Sequence, residues 1–239
     1  MEERDVLRQQ VAYYRARAAE YDEWFLRQGR YDRGPAHRAQ WSAEVAAIET
    51  VLRATVQRGH VLEVACGTGL WTRHLAEHNS RVVAVDASPE TIAINKERVG
   101  STHVEYVVAD VFSWTPPPST FDSVFFSFWL SHVPNQRFDG FWDMVRKTLK
   151  PQGRAFFVDS LMEQASTARD HDPIDESGVV RRRLNDGREF EIVKVFYDPA
   201  ALQERLLGRG WQGWVRSSGK FFLYGSVTPL EHYTDVTRR

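Results

Sequence analysis

The stretch VLEVACGTGLWT, residues 61–72, decides the fold. Val61, Leu62, Val64 and Ala65 form a short apolar, β-branched run of the kind that fills a buried parallel strand. The run ends in Gly67-Thr68-Gly69, where missing side chains let the backbone approach a ligand, and then becomes helical sequence. A helix starting there aims its free N–H groups at whatever sits in the loop. The pattern predicts an α/β nucleotide cradle. It shares two glycines with the dinucleotide fingerprint G-x-G-x-x-G/A, but Thr72 stands at the third position beside the bulky Trp71.

Working outward, RVVAVDAS (residues 81–88) reads as a second strand ending in Asp86, about 20 residues beyond the first glycine, where a carboxylate can bind ribose hydroxyls. HVEYVVAD (103–110) is a third strand ending in Asp110, and FDSVFFSFW (121–129) a fourth. Each of the first three carries a polar or small residue at its carboxyl end, where open α/β sheets hold their ligands.

Taken together, EVACGTG (63–69), Asp86, the Ala109-Asp110-Val111 step, Phe121-Asp122 opening a strand, and LKPQG (149–153) before another strand resemble the class I S-adenosylmethionine-dependent methyltransferases over residues 40–160. The resemblance implies a Rossmann-like, doubly wound seven-stranded sheet with an antiparallel C-terminal hairpin. It implies S-adenosylmethionine as cofactor, bound by Glu63, Ala65, Gly67, Thr68, Gly69, Trp71, Asp86, Ala87, Asp110, Val111, Phe128 and Tyr21. Asp110 would then accept from the adenine amino group and the Val111 amide would read a ring nitrogen. Two other readings stand beside it: a nicotinamide oxidoreductase using the same cradle, and a cofactor-binding but non-catalytic partner subunit.

Composition bounds the partners. The chain has 239 residues with 31 basic and 32 acidic side chains, which argues against a general phosphate-backbone binder and so against nucleic acid. The single cysteine, Cys66, excludes an internal disulfide and fits a reducing compartment. Neither a signal peptide nor a membrane-length apolar run is apparent, so a cytoplasmic, soluble monomer or homodimer is expected. Aromatic residues make up 13%, with eight Trp, which leans towards a small aromatic or heterocyclic methyl acceptor.

Residues 5–28 predict one amphipathic helix, with Leu7, Val11, Tyr14, Ala18, Tyr21 and Phe25 on a stripe. The family resemblance makes residues 1–38 a helical lid and 39–239 the methyltransferase domain, with a capping insertion at 161–197. In that insertion Asn185-Asp186-Gly187 between two β-like runs predicts a hairpin. Tyr13, Tyr14, Arg17, Trp24, Trp129 and Arg182 are the candidate acceptor-binding residues, although Arg181, Arg182 and Arg183 also suit a solvated strand face. His132, just past the fourth strand, is the candidate general base. His74-x-x-Glu77-His78 matches a zinc-peptidase spacing, but a helix behind a glycine loop has a solvated face anyway, and no metal is expected.

Overall fold

The computed structural model describes residues 2–56, 58–173 and 177–230, so part of the expected capping insertion, residues 174–176, lies outside the described residues. In chain order the elements are α1 (Glu3–Arg17), α2 (Tyr21–Phe25), α3 (Pro35–Thr55), β1 (His60–Val64), α4 (Thr72–His78), β2 (Arg81–Asp86), α5 (Pro89–Val99) and β3 (Val104–Val108). They continue with β4 (Phe121–Ser127), α6 (Phe138–Thr148), β5 (Leu149–Ser160), β6 (Val179–Arg183), β7 (Glu189–Val193), α7 (Pro199–Gly208), β8 (Trp211–Ser217) and β9 (Phe222–Pro229). Seven strands form one sheet in the order β3-β2-β1-β4-β5-β9-β8. The first five run parallel, whereas β9 lies antiparallel to both β5 and β8.

Strand alternation sorts the core onto two faces. Leu62, Val64, Val124, Phe126 and Phe157 pack against Phe141, Trp142 and Val145 of α6 and Leu202 and Leu206 of α7. Their sequence neighbours Val61, Phe125, Phe156 and Val158 pack on the other face against Trp41, Val45, Ile48 and Leu52 of α3 and Leu75 of α4. Helix boundaries follow local chemistry: Pro89 opens α5 behind a Ser88 cap that accepts from the Thr91 amide, and Gly100 closes it in the left-handed region. The chain leaves β1 for β2 on one side and β4 on the other, so the crevice at the carboxyl ends of β1 and β4 is the topological switch point.

The N-terminal segment differs from the single helix expected. A 3-10 turn at Ala18–Glu20 separates α1 from α2 and brings Tyr21 and Tyr31 around Arg17, whose guanidinium carbon lies 5.0 Å from the Tyr21 ring centre. The fully packed face of α1 is Val6, Gln10, Tyr13 and Arg17, one residue ahead of the apolar stripe. The predicted hairpin is present as β6–β7, with Gly187 at φ 89° in its turn, and forms a separate small sheet. It packs Val180, Leu184 and Ile192 on Tyr13 of α1. Two glutamines tie the helix to the edge of β7: Gln9 accepts from the Glu191 amide and Gln10 from that of Val193.

Candidate functional site

At the switch point two residues carry unusual backbone. Ala65, leaving β1, has φ 54°, and Phe128, leaving β4, has φ 52°. A left-handed conformation at a residue with a side chain costs about 1–3 kcal/mol and persists where the surroundings dictate it, commonly at ligand sites. Between them and the end of β2 opens a cavity. Its floor includes Ala65, Gly67, Asp86, Ala87, Asp110 and Val111, its wall Phe128, Trp129 and His132, and its roof Leu7, Val11, Tyr14 and Tyr21. The apolar stripe of α1 therefore faces this cavity rather than the protein core.

The glycine loop is held from behind. Asp86 accepts from the Gly67 amide through one carboxylate oxygen (2.9 Å) and from the Ser88 amide through the other (2.9 Å). Burial raises its carboxyl above the usual range, and the Ser88 and Gly67 amides oppose that rise. A side chain built on Gly67 would point into open space, which suits a position facing a ligand. Gly69 is small for another reason: a Cβ there would lie 2.6 Å from Asn95 Oδ1 on α5. Asn95, fully buried, donates to the Gly67 carbonyl (3.1 Å) and to the Thr72 hydroxyl (2.8 Å), and accepts from Tyr106 (2.8 Å).

Several predicted contacts point elsewhere. Thr68 donates to Asp22 (2.6 Å), and Arg98 bridges Asp22 and the Thr68 carbonyl, so this part of the loop fastens α2. Trp71 is buried against Phe25 and Phe125 because the first turn of α4 faces the core, and it borders a small side pocket shared with Thr68. Glu63 is buried near Thr72 away from the main cavity, and burial holds its carboxyl up at about 8. Asp110 lines the cavity, while its Oδ1 accepts from the Phe112 amide as a turn cap. Trp129 lies in this first cavity, packed on Phe112, rather than with the other candidate acceptor residues.

Tyr14, Tyr21, Phe128 and His132 also border a second cavity. Tyr13, Arg17, Trp24 and Arg182 line it, as expected residues, together with Tyr31, His171 and Lys194, which the sequence reading missed. Arg182 is buried, unlike its exposed neighbours Arg181 and Arg183, which pair with Glu189 on the outer face of the hairpin. The solvated-face reading of the arginine run therefore fails at its middle member, because β6 alternates. Lys194 donates to Ser131 (2.8 Å) and stands 3.7 Å from Asp159.

His132 occupies the junction of the two cavities. Its Nδ1 lies 2.6 Å from the Val193 carbonyl, which can only accept, so Nδ1 carries the proton and Nε2 accepts from the Tyr14 hydroxyl at 2.7 Å. Burial and the nearby Lys194 hold this imidazole well below its ordinary range, so it is neutral. Burial pushes the Tyr14 phenol well up. Elsewhere, His74 bonds Glu49 (3.1 Å) while His78 bonds the His74 carbonyl, and among the described residues no group of His, Cys, Asp or Glu could hold a metal ion. No helix among them is long and apolar enough to cross a membrane.

A family model described as a methyltransferase domain matches residues 61–153. A solved DhpI–SAH complex is 42% identical to this chain, covers 97% of it and 100% of that chain, and superposes with a TM-score of 0.79. A DhpI–SAM–HEP complex is 39% identical, with 96% and 100% covered and a TM-score of 0.77. Among curated proteins, a demethylmenaquinone methyltransferase of Anoxybacillus flavithermus is 36% identical over 94 residues, 36% of this chain. A ubiquinone biosynthesis O-methyltransferase of Coxiella burnetii is 31% identical over 108 residues, 43% of this chain. The aligned stretch spans only 40% and 44% of the lengths of those two curated relatives.

Proposed function

Because this chain belongs to the class I S-adenosylmethionine-dependent methyltransferases, we propose that it transfers a methyl group from that cofactor to an oxygen or nitrogen atom of a small metabolite. One observation carries the reading: a single cavity at the switch point gathers Gly67, Asp86, Asp110, Phe128 and His132 and opens onto a second. The residues suit the cofactor. Gly67 leaves space where a side chain would intrude, the buried Asp86 offers acceptors of the kind that bind a ribose, and Asp110 and Val111, the proposed adenine contacts, line the same cavity. Solved DhpI complexes hold SAH, or SAM together with HEP, an arrangement that two adjoining cavities can accommodate.

The cofactor supplies a methyl group on a sulfonium, already activated for displacement. The protein's work is then positioning and exclusion of water. Leu7 and Val11 of α1 roof the cavity as a lid, and Tyr21 and Phe128 present aromatic surface that favours a cation. Where the acceptor carries a proton, Tyr14 passes its own to His132 Nε2 as it takes the acceptor's, leaving His132 as the base at one remove. An aromatic body is accommodated by Trp24, Tyr21 and Phe128, whose rings meet edge to face or tilted.

Calorimetric titration of the whole chain with S-adenosylmethionine and, separately, with NAD tests the cofactor; binding of the first alone is expected. Transfer of a labelled methyl group into a metabolite extract tests turnover. Binding of NAD without S-adenosylmethionine, or binding without any transfer, would remove the reading.

A further inference from the structure

Gln10, midway along α1, is buried, and both ends of its carboxamide are spent on main chain. Its Oε1 accepts from the Val193 amide (3.1 Å) and its Nε2 donates to the His132 carbonyl (3.2 Å). The amide N–H can only donate and the carbonyl can only accept, so the carboxamide has one orientation. The Val193 carbonyl in turn accepts from His132 Nδ1 (2.6 Å). These three bonds close a ring through Gln10, Val193 and His132, which come from α1, the end of β7 and the turn after β4.

The ring decides a question that Tyr14 leaves open. A phenol and a neutral imidazole nitrogen can each donate or accept, so the 2.7 Å contact between Tyr14 and His132 Nε2 has no direction of its own. An unconstrained neutral histidine carries its proton mainly on Nε2, which would point that bond the wrong way for a base. The hydrogen bond made by Nδ1 sets the tautomer. Here its acceptor belongs to the small appended sheet, not to the sheet that carries His132. The Val195 amide also donates to the Ser131 carbonyl (2.8 Å), so the two pieces of chain stay adjacent without Gln10. What Gln10 adds is the alignment of Val193 with the imidazole. Gln10 and Tyr14 stand four residues apart, on one face of a helix, so α1 supplies both the partner at Nε2 and the support behind Nδ1.

We propose that Gln10 is a positioning residue for His132, holding the imidazole in the tautomer that lets Nε2 accept a proton relayed by Tyr14. Its part in the reaction rests on the methyltransferase reading, whereas the tautomer rests on the geometry alone. Leucine in its place fills a similar volume but leaves the Val193 amide and the His132 carbonyl unpartnered, and Val193 is then free to drift from Nδ1.

Nitrogen-15 NMR of the full chain reads the tautomer directly, because protonated and bare ring nitrogens differ widely in shift; the His132 signals are those missing from His132→Gln. The wild type should show a protonated Nδ1 and a bare Nε2, and Gln10→Leu a mixture in which that form is the minor one. At saturating S-adenosylmethionine, transfer of labelled methyl into a metabolite extract should fall about tenfold in Gln10→Leu, following the loss of the competent form. In a His132→Ala background the same substitution should cost no further activity, whereas a residue that merely props up the helix would lower it again. Affinity for S-adenosylhomocysteine, by calorimetry, should be nearly unchanged, which also shows that the variant folds. If the wild-type Nε2 carries the proton, if Gln10→Leu keeps the wild-type tautomer, or if the losses in the two backgrounds multiply, the proposal is overturned while the methyltransferase reading stands. If the wild type binds S-adenosylhomocysteine but transfers no label, it is the methyltransferase reading that falls, and the two NMR spectra still decide whether Gln10 sets the tautomer.

Discussion

Replacing Asn95 with Leu tests how the cradle is held. This side chain touches no cavity, yet its amide donates to the Gly67 carbonyl at 3.1 Å and the Thr72 hydroxyl at 2.8 Å, while its oxygen accepts from Tyr106 at 2.8 Å. Leu is close in volume but forms none of these bonds. Three well-formed bonds at about 1 kcal/mol each, in a position where the abandoned partners are cut off from water, predict a loss of about 3–4 kcal/mol. For a domain of this size that lowers Tm by about 6–12 °C. Urea unfolding followed by intrinsic fluorescence measures the loss directly. Because the freed Gly67 carbonyl no longer fixes the loop, S-adenosylmethionine affinity should fall as well. A companion Tyr106→Phe, which removes only one bond, should cost about 1 kcal/mol and spare cofactor affinity. A loss below about 1 kcal/mol for Asn95→Leu, with affinity unchanged, would refute the idea that α5 clamps the loop.

Asp86→Ala should weaken S-adenosylmethionine binding by about 1–3 kcal/mol, read by calorimetry, since it removes the proposed ribose acceptor and frees the Gly67 amide. His132→Ala and Tyr14→Phe should each lower turnover while leaving cofactor affinity nearly intact; equal turnover in either variant would take that pair out of the mechanism. Acid should destabilise the fold. Burial holds His132 well below its ordinary range and His171 down at about 3, so the unfolded chain binds protons that the native state refuses. Their contribution to stability is complete above pH 6.5 and declines below it, approaching about 1.4 kcal/mol per pH unit for each histidine and offset in part by Glu63, whose raised carboxyl takes up a proton in the native state first; urea titrations at pH 7 and pH 5.5 would detect the net loss. Gly213→Ala should be severely destabilising, because its Cβ would lie 2.1 Å from the Ser226 carbonyl oxygen across the β8–β9 ladder. Normal thermal unfolding of that variant would contradict the register.

The features that act locally were legible in the sequence. The glycine loop, the acidic end of β2 and the Asp-Gly hairpin each depend on a few neighbouring residues, and the structure has the loop, strand and hairpin where their patterns place them. Features that depend on convergence were not. Nothing near Lys194 announces that it will meet Arg17, and Asn95 reads as an ordinary helix residue until α5 lies behind the loop. Composition misled in one respect: Trp41, Trp71, Trp142 and Trp211 are core residues, so aromatic richness reports packing more than it reports an acceptor. The break after Arg17 escaped notice because no glycine or proline marks it. At the break Tyr13, Tyr21 and Tyr31 surround a buried guanidinium.

The small sheet β6–β7 rests on α1 and contributes nothing to the hydrogen bonding of the seven-stranded sheet. Part of the lining of the second cavity is therefore supplied by a piece of chain built outside the main sheet. Exchanging that hairpin would change the lining of one cavity and leave in place the strand ends that border the other.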